Sequence, residues 1–315
     1  MRRLALLSIA VLLAGCGGDR AGNSDDTSTA EDSDLSGRIL VDGSSTVGPY
    51  TTAAAERFHS VHPDVQITVG VSGTGGGFER FCAGETDLSN ASRAIKDEEA
   101  AACEAEGVEF VEFQIANDAL TVVGNPENDW VDCLTVAQLK KIWDTGSKVK
   151  SWKDVDPSFS DVTMKLYGAG TDSGTFDYFT DAINGEEGRS RSDYSATEDD
   201  NVTVQGVAGD EGALGYFGLS YYEQNKDRLK ALEIDGGDGC VAPSVETAQN
   251  GTYKPLSRPL FIYAKKASFD RAEVHAFIEF ILENEREIAE AAQFVPLTDE
   301  QLAKAKADLA AATSG

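Results

Sequence analysis

Three glycine- and hydroxyl-rich segments, each placed between a strand-like run and a helical one, constrain this chain most. Asp42-Gly-Ser-Ser-Thr-Val-Gly-Pro49 follows Arg38–Val41 and precedes an amphipathic run, Tyr50 to His59. Ser72-Gly-Thr-Gly-Gly-Gly-Phe78 follows the alternating Val65–Val71, and Gly168-Ala-Gly-Thr-Asp-Ser-Gly-Thr-Phe176 follows Lys165–Tyr167. In each, glycines let backbone N–H groups converge beside Ser and Thr hydroxyls. The next helix then adds its free N–H groups and positive dipole end. In open α/β sheets such junctions lie at the carboxyl ends of strands, where ligands gather. Neither Gly-x-Gly-x-x-Gly nor Gly-x4-Gly-Lys-[Ser/Thr] occurs in them, so the spacing suits a small anion better than a nucleotide.

The remaining pattern continues the alternation. Ala119–Val123, Ala213–Phe217 and Pro259–Tyr263 read as strands. Phe78–Ala83, Asp97–Glu106 and the stripe Phe176, Phe179, Ile183 read as helical, and so does a long segment from Phe269 to Ala292. Thr135 is placed to cap a helix carrying Leu139, Ile142 and Trp143, with Gly146 ending it. Strand–helix alternation predicts an α/β protein with mostly parallel sheets. A fourth polar segment, Asp87-Leu-Ser-Asn-Ala-Ser-Arg-Ala94, supplies the one arginine among these loops. Arg93 has the geometry to donate two bonds to an oxyanion and to neutralise it, or alternatively to form a surface ion pair.

Taken together and in this order, Asp-Gly-Ser-Ser-Thr-Val, Ser-Gly-Thr-Gly-Gly-Gly-Phe, Ala-Ser-Arg and Gly-Thr-Asp-Ser-Gly-Thr-Phe resemble the phosphate-binding proteins of ABC transporters. The resemblance runs from about Ile39 to Phe294-Val-Pro-Leu297. It implies a two-lobed periplasmic-binding-protein fold of type II, each lobe a mixed, mostly parallel sheet flanked by helices. It also implies capture of inorganic phosphate in the interlobe cleft and delivery to permease subunits. Position by position, it implies Ser45 and Thr46 in the first loop, Thr74 in the second and Ser92 in the third contact region. Ser173, Gly174 and Thr175 match its Ser-Gly-Thr anion loop. Two positions depart from the family pattern. Ala169 stands where many members have an arginine, and Arg93 stands where many have an aspartate. The expectation is therefore that Arg93 supplies the relocated positive charge and that Asp172 is the nearest acceptor for a phosphate proton. Such an acceptor separates phosphate from sulfate, which has no proton to donate.

The N-terminus sets the compartment. Arg2 and Arg3, the apolar run Leu4–Leu13 and the ending Leu13-Ala14-Gly15-Cys16 describe a secretory signal peptide over residues 1–15. That ending resembles the bacterial lipobox, which implies a lipidated Cys16. The expected location is extracytoplasmic, with membrane contact through the lipid alone. Residues 16–37 are too polar to bury a core and read as a disordered tether. The family fold suggests one lobe from 38–117 plus 250–315 and another from 118–249. Cys82, Cys103, Cys133 and Cys240 form an even set in an exported chain, which reads as two disulfides. Three pairings are open. The expected ones are Cys82–Cys103, which would close a local loop, and Cys133–Cys240, which would staple a longer segment; neither would then cross the cleft.

The formal charge of −27 argues against nucleic acid and against docking on anionic lipid. An anion site here must work through short-range hydrogen bonds and local dipoles. No metal or other cofactor is expected, and a monomer is. The competing readings are sulfate, molybdate or tungstate in the same fold, a phosphatase-like enzyme with Ser173 as nucleophile, and an adhesin that reuses the fold. No Gly-x-Ser-x-Gly frames Ser173 and no histidine lies close in sequence, which weakens the enzyme reading.

Overall fold

A computed structural model of the chain describes residues 35–171 and 173–314. The signal segment, Cys16, most of the tether and Asp172 lie outside the described residues. The strands are β1 (Gly37–Gly43), β2 (Val65–Val69), β3 (Leu88–Ala91), β4 (Phe110–Gly124), β5 (Cys133–Thr135) and β6 (Lys165–Ala169). They continue with β7 (Ser195–Thr197), β8 (Ala213–Gly218), β9 (Lys230–Ala231), β10 (Glu233–Asp235), β11 (Cys240–Val241) and β12 (Ser257–Lys265). The main sheet has the order β2-β1-β3-β12-β4-β8-β6-β7, with β9 beside β4, and β11-β10-β5 form a smaller sheet. The outer strands pair in parallel, β1 with β2 and β3, and β6 with β7 and β8. β12 and β4 run antiparallel through the middle.

β4 ties the two lobes together. Its residues up to Ala119 pair with β12, and those from Leu120 onward pair with β8. Each half has its own apolar core. The first gathers Ile39, Val41, Leu88, Phe113 and Ile262 against the helices Gly48–Val61 and Ala272–Glu283. The second gathers Leu120, Trp143, Trp152, Leu166, Phe179 and Tyr216. Apolar burial of this kind, at roughly 25 cal/mol per Å², is what holds each half together. Among the described residues no helix is long and apolar enough to cross a membrane.

Both expected disulfides are present. Cys82–Cys103 closes a local loop beside Phe78, Phe81 and Tyr263. Cys133–Cys240 ties β5 to β11 in the small sheet. The expected cap at Thr135 is formed, with its hydroxyl accepting from the Gln138 amide and the Gln138 side chain returning the bond.

The structure departs from the sequence reading in three places. The second glycine segment is helical from Gly73, not a loop up to Phe78. Glycine is a poor helix former, but here close packing overrides propensity. A Cβ at Gly77 would lie 2.5 Å from the Gly43 Cα and 3.0 Å from the Ser89 Oγ. The long helix from Phe269 is broken at Asn284 into Ala272–Glu283 and Glu285–Ala291. The Glu285 side chain there turns to accept the Leu297 amide at 2.7 Å. A further helix, Asp299–Ala312, begins at the capping box Thr298/Gln301, a Thr-x-x-Gln signature readable in the sequence.

Candidate functional site

The carboxyl ends of β1, β2 and β3 place three of the polar segments around one cavity of about 840 Å³. Its wall includes Ser44, Ser45 and Thr46 from the first segment, Ser72 to Gly75 from the second, and Ser92 and Arg93 from the fourth. The loops are held to one another by hydrogen bonds. The Ser44 amide donates to the Asn90 carbonyl at 2.9 Å, and the Ser72 amide to the Gly43 carbonyl at 3.1 Å. The Thr74 and Ser92 hydroxyls are 3.1 Å apart, and the Ser92 amide donates to the Thr74 Oγ1 at 3.2 Å. The helix starting at Gly73 contributes its first residues, Gly73, Thr74 and Gly75, to this wall.

The third segment is reached from the other lobe. Ser173 caps the helix Gly174–Phe179, its hydroxyl accepting from the Thr175 amide at 3.2 Å. Ser173, Gly174 and Thr175 adjoin the cavity and do not form its wall. Gly174 abuts the first segment so closely that a Cβ there would sit 3.2 Å from both the Cα and the Oγ1 of Thr46. A side chain there would need the first segment to give by a few tenths of an ångström. One turn further, Asp177 reaches the wall, and the Ser45 hydroxyl donates to its Oδ2 at 3.3 Å.

Arg258, which the sequence reading did not single out, is the cation at the centre of this arrangement. It stands in β12 opposite Asp118 of β4, just before β4 passes from one half of the sheet to the other. Its Nε donates to the Asp118 Oδ2 at 3.2 Å and its Nη2 to the Thr46 Oγ1 at 2.9 Å. The guanidinium lies over the Tyr178 ring, with its carbon 3.5 Å from the centroid. The Tyr178 hydroxyl donates to the Pro255 carbonyl at 2.9 Å, which fixes the ring. Burial raises the Asp118 carboxyl above its ordinary range, although the charge and hydrogen bond of Arg258 pull the other way. Burial likewise raises the Tyr178 phenol well above its usual value.

Arg93 does not provide the free charge expected of it. Its Nη2 donates to the Glu99 Oε1 at 2.7 Å and its Nη1 to the Glu99 Oε2 at 2.8 Å, a bidentate pair set over the Phe78 ring. Burial would raise the Glu99 carboxyl, but hydrogen bonds from Arg93 and the Lys96 amide bring it below its ordinary value. A sequence signal for Arg258 does exist. An arginine stands just ahead of the apolar run Leu260–Ala264, and an aspartate just ahead of Ala119–Val123. It becomes a signal only once the register sets the two charges opposite each other.

The chain matches the PBP superfamily domain over residues 27–285. It is 48% identical over 262 residues to the protein SphX of Synechococcus elongatus, covering 82% of this chain and 77% of that one. It is 41% identical over 293 residues to the phosphate-binding protein PstS of Staphylococcus saprophyticus, covering 92% and 88%. Among solved structures, it resembles a possible phosphate-binding protein from Planctomyces limnophilus with a TM-score of 0.87 and 48% identity. That match covers 89% of this chain and all of the other.

Proposed function

Because the chain belongs to the PBP superfamily and, within it, to the phosphate-binding proteins, we propose that it captures inorganic phosphate between its lobes and hands it to an ABC importer. The observation that carries this reading is the convergence of hydroxyls from three strand-to-helix loops on one cavity, with the Arg258 guanidinium on its wall. Such a site binds a tetrahedral oxyanion by fixed hydrogen-bond donors, helix ends and a half-buried cation. It needs no charge from the surrounding acidic surface.

The ligand set follows the loops. Ser45, Thr46, Thr74 and Ser92 would donate from one side, and Ser173, Gly174 and Thr175 from the other as the lobes close. Arg258 takes the role first assigned to Arg93, because its Nη2 reaches Thr46 of the first loop, while Nη1 and Nη2 of Arg93 both donate to Glu99. The proposed lobes are 38–117 with 250–315, and 118–249. Tyr253 and Leu256 pack in the second core, which favours a return crossing nearer Leu256 than 250.

The chain would act as a carrier, not an enzyme, anchored outside the membrane by lipid on Cys16, as a monomer whose lasting partner is the permease. Titration calorimetry of the purified protein with phosphate, sulfate, molybdate and tungstate tests the ligand. Saturable binding of phosphate, with the others weaker, is the expected result. Tight sulfate or molybdate binding without phosphate binding would overturn it. Incubation with a model phosphate ester should release no phosphate.

A further inference from the structure

Tyr178 stands on the cavity wall with Arg258 and Thr46, yet its one donor is spent on the Pro255 carbonyl. It is therefore no direct partner for an anion, and its ring needs another explanation. The Arg258 guanidinium carries five N–H donors. Nε donates to Asp118 and Nη2 to Thr46, while Nη1 has no hydrogen-bond partner among the described residues. Nη1 is the arm left for a ligand in the cavity.

The hydrogen bonds at Nε and Nη2 act within the guanidinium plane and resist tilting about the line joining them only weakly. The Tyr178 ring supplies the missing restraint, 3.5 Å from the guanidinium carbon. That ring is itself held, buried in the second core and tied through its hydroxyl to Pro255 at 2.9 Å. An aliphatic side chain could fill the same core volume, but it would not attract a cation. The electron-rich face of a ring does, most strongly where water is excluded. The short helix Gly174–Phe179, which carries the ring, also meets Thr46 through Gly174. One element thus touches both Arg258 and the residue that fixes its Nη2.

We propose that Tyr178 is a positioning residue for anion capture, its ring face holding the Arg258 guanidinium so that Nη1 is presented to the ligand. The proposal rests on the phosphate reading of the site. Tyr178 makes no bond to the anion, and its effect on affinity passes through Arg258.

Titration calorimetry with inorganic phosphate tests this in variants of the full chain. Tyr178→Phe keeps the ring face and serves as the reference. Tyr178→pentafluorophenylalanine keeps the shape and withdraws electron density from that face. Its affinity should fall about tenfold below that of Tyr178→Phe, with the melting temperature of the free protein close to that of the reference. Tyr178→Leu, which removes the face, should lose at least as much, and Tyr178→Phe should recover most of that loss. Equal affinity in the phenylalanine and fluorinated variants would reduce Tyr178 to a core residue and overturn the proposal. A gain on fluorination would overturn it too, because an electron-poor ring attracts negative charge and the ring would then be meeting the anion itself. Absence of phosphate binding in the wild type would instead overturn the phosphate reading, and the wild-type titration alone shows it.

Discussion

Arg258 lies over the ring of Tyr178, its guanidinium carbon 3.5 Å from the centroid, while its Nη2 donates to Thr46 in the first loop. One side chain thus touches a residue from each lobe, and the paired carboxylate of Asp118 holds it there.

Replacing Arg258 should therefore be the most damaging single change to the site. Arg258→Gln removes a charge-assisted contact and leaves Asp118 buried without its partner, at a cost of about 2–5 kcal/mol in binding. Arg258→Lys should recover only part of it, since lysine lacks the planar fork that both stacks and donates. Calorimetry of phosphate binding reads both, and unchanged affinity in Arg258→Gln would remove Arg258 from the site.

Arg93→Ala should weaken phosphate binding less than Arg258→Gln does, because the Arg93 donors are occupied by Glu99. The comparison must be made in the same buffer and salt, since residual attraction from a half-buried cation is screened. A larger loss in Arg93→Ala than in Arg258→Gln would restore Arg93 as the principal cation.

Gly174→Ala tests the approach of the two lobes directly. The added methyl would meet Thr46 at 3.2 Å, tight enough to force the loops apart by a few tenths of an ångström. Phosphate affinity should fall by about tenfold or more, with the thermal midpoint nearly unchanged, because neither core is touched. Equal affinity would mean that binding does not require this contact.

The two bridges should differ in their contribution to stability. In the chain-entropy account, Cys133–Cys240, with a separation of 107 residues, restrains the unfolded chain by about 4–5 kcal/mol. Cys82–Cys103, with a separation of 21, restrains it by about 3 kcal/mol. Paired Cys→Ser variants in urea should show that order of midpoints.

Asp200 gives a pH prediction. Burial, then the charges of Asp199 and Glu198, raise its carboxyl to about 6. A raised carboxyl binds its proton more tightly in the folded state, so stability is highest below the ordinary aspartate value and is lost as pH climbs to about 6. Its place in the first turn of a helix offsets part of the loss. Asp200→Asn should stabilise the protein by about 1–2 kcal/mol at neutral pH and by little near pH 4. Equal effects at the two pH values would show that Asp200 titrates normally.

Local chemistry carried much of the architecture. The strand-to-helix junctions, the cap at Thr135 and the presence of two bridges depend on short-range pattern or on an even count of thiols. They were legible without a structure. The strand status of Leu88–Ala91 was hidden because Ser89 and Asn90 are polar yet buried within the sheet. The helical run of the second glycine segment was hidden because the close packing of Gly77 is against Gly43 and Ser89, outside the segment itself.

What the sequence determined by itself is the class of site: donors clustered at strand ends, set for a small anion by glycine and hydroxyl residues a few positions apart. Only the tertiary structure decided which cation has a donor on the first loop. Arg93 and Arg258 carry the same charge and each lies at or just beyond a strand end, so composition and spacing cannot rank them. The ranking comes from their neighbours: Glu99, six residues from Arg93, consumes its donors. Thr46, 212 residues from Arg258 along the chain, is brought within 2.9 Å of it. Hydrogen bonds fall off over a few tenths of an ångström, and distances of that order are set by sheet register and core packing, which no single segment encodes.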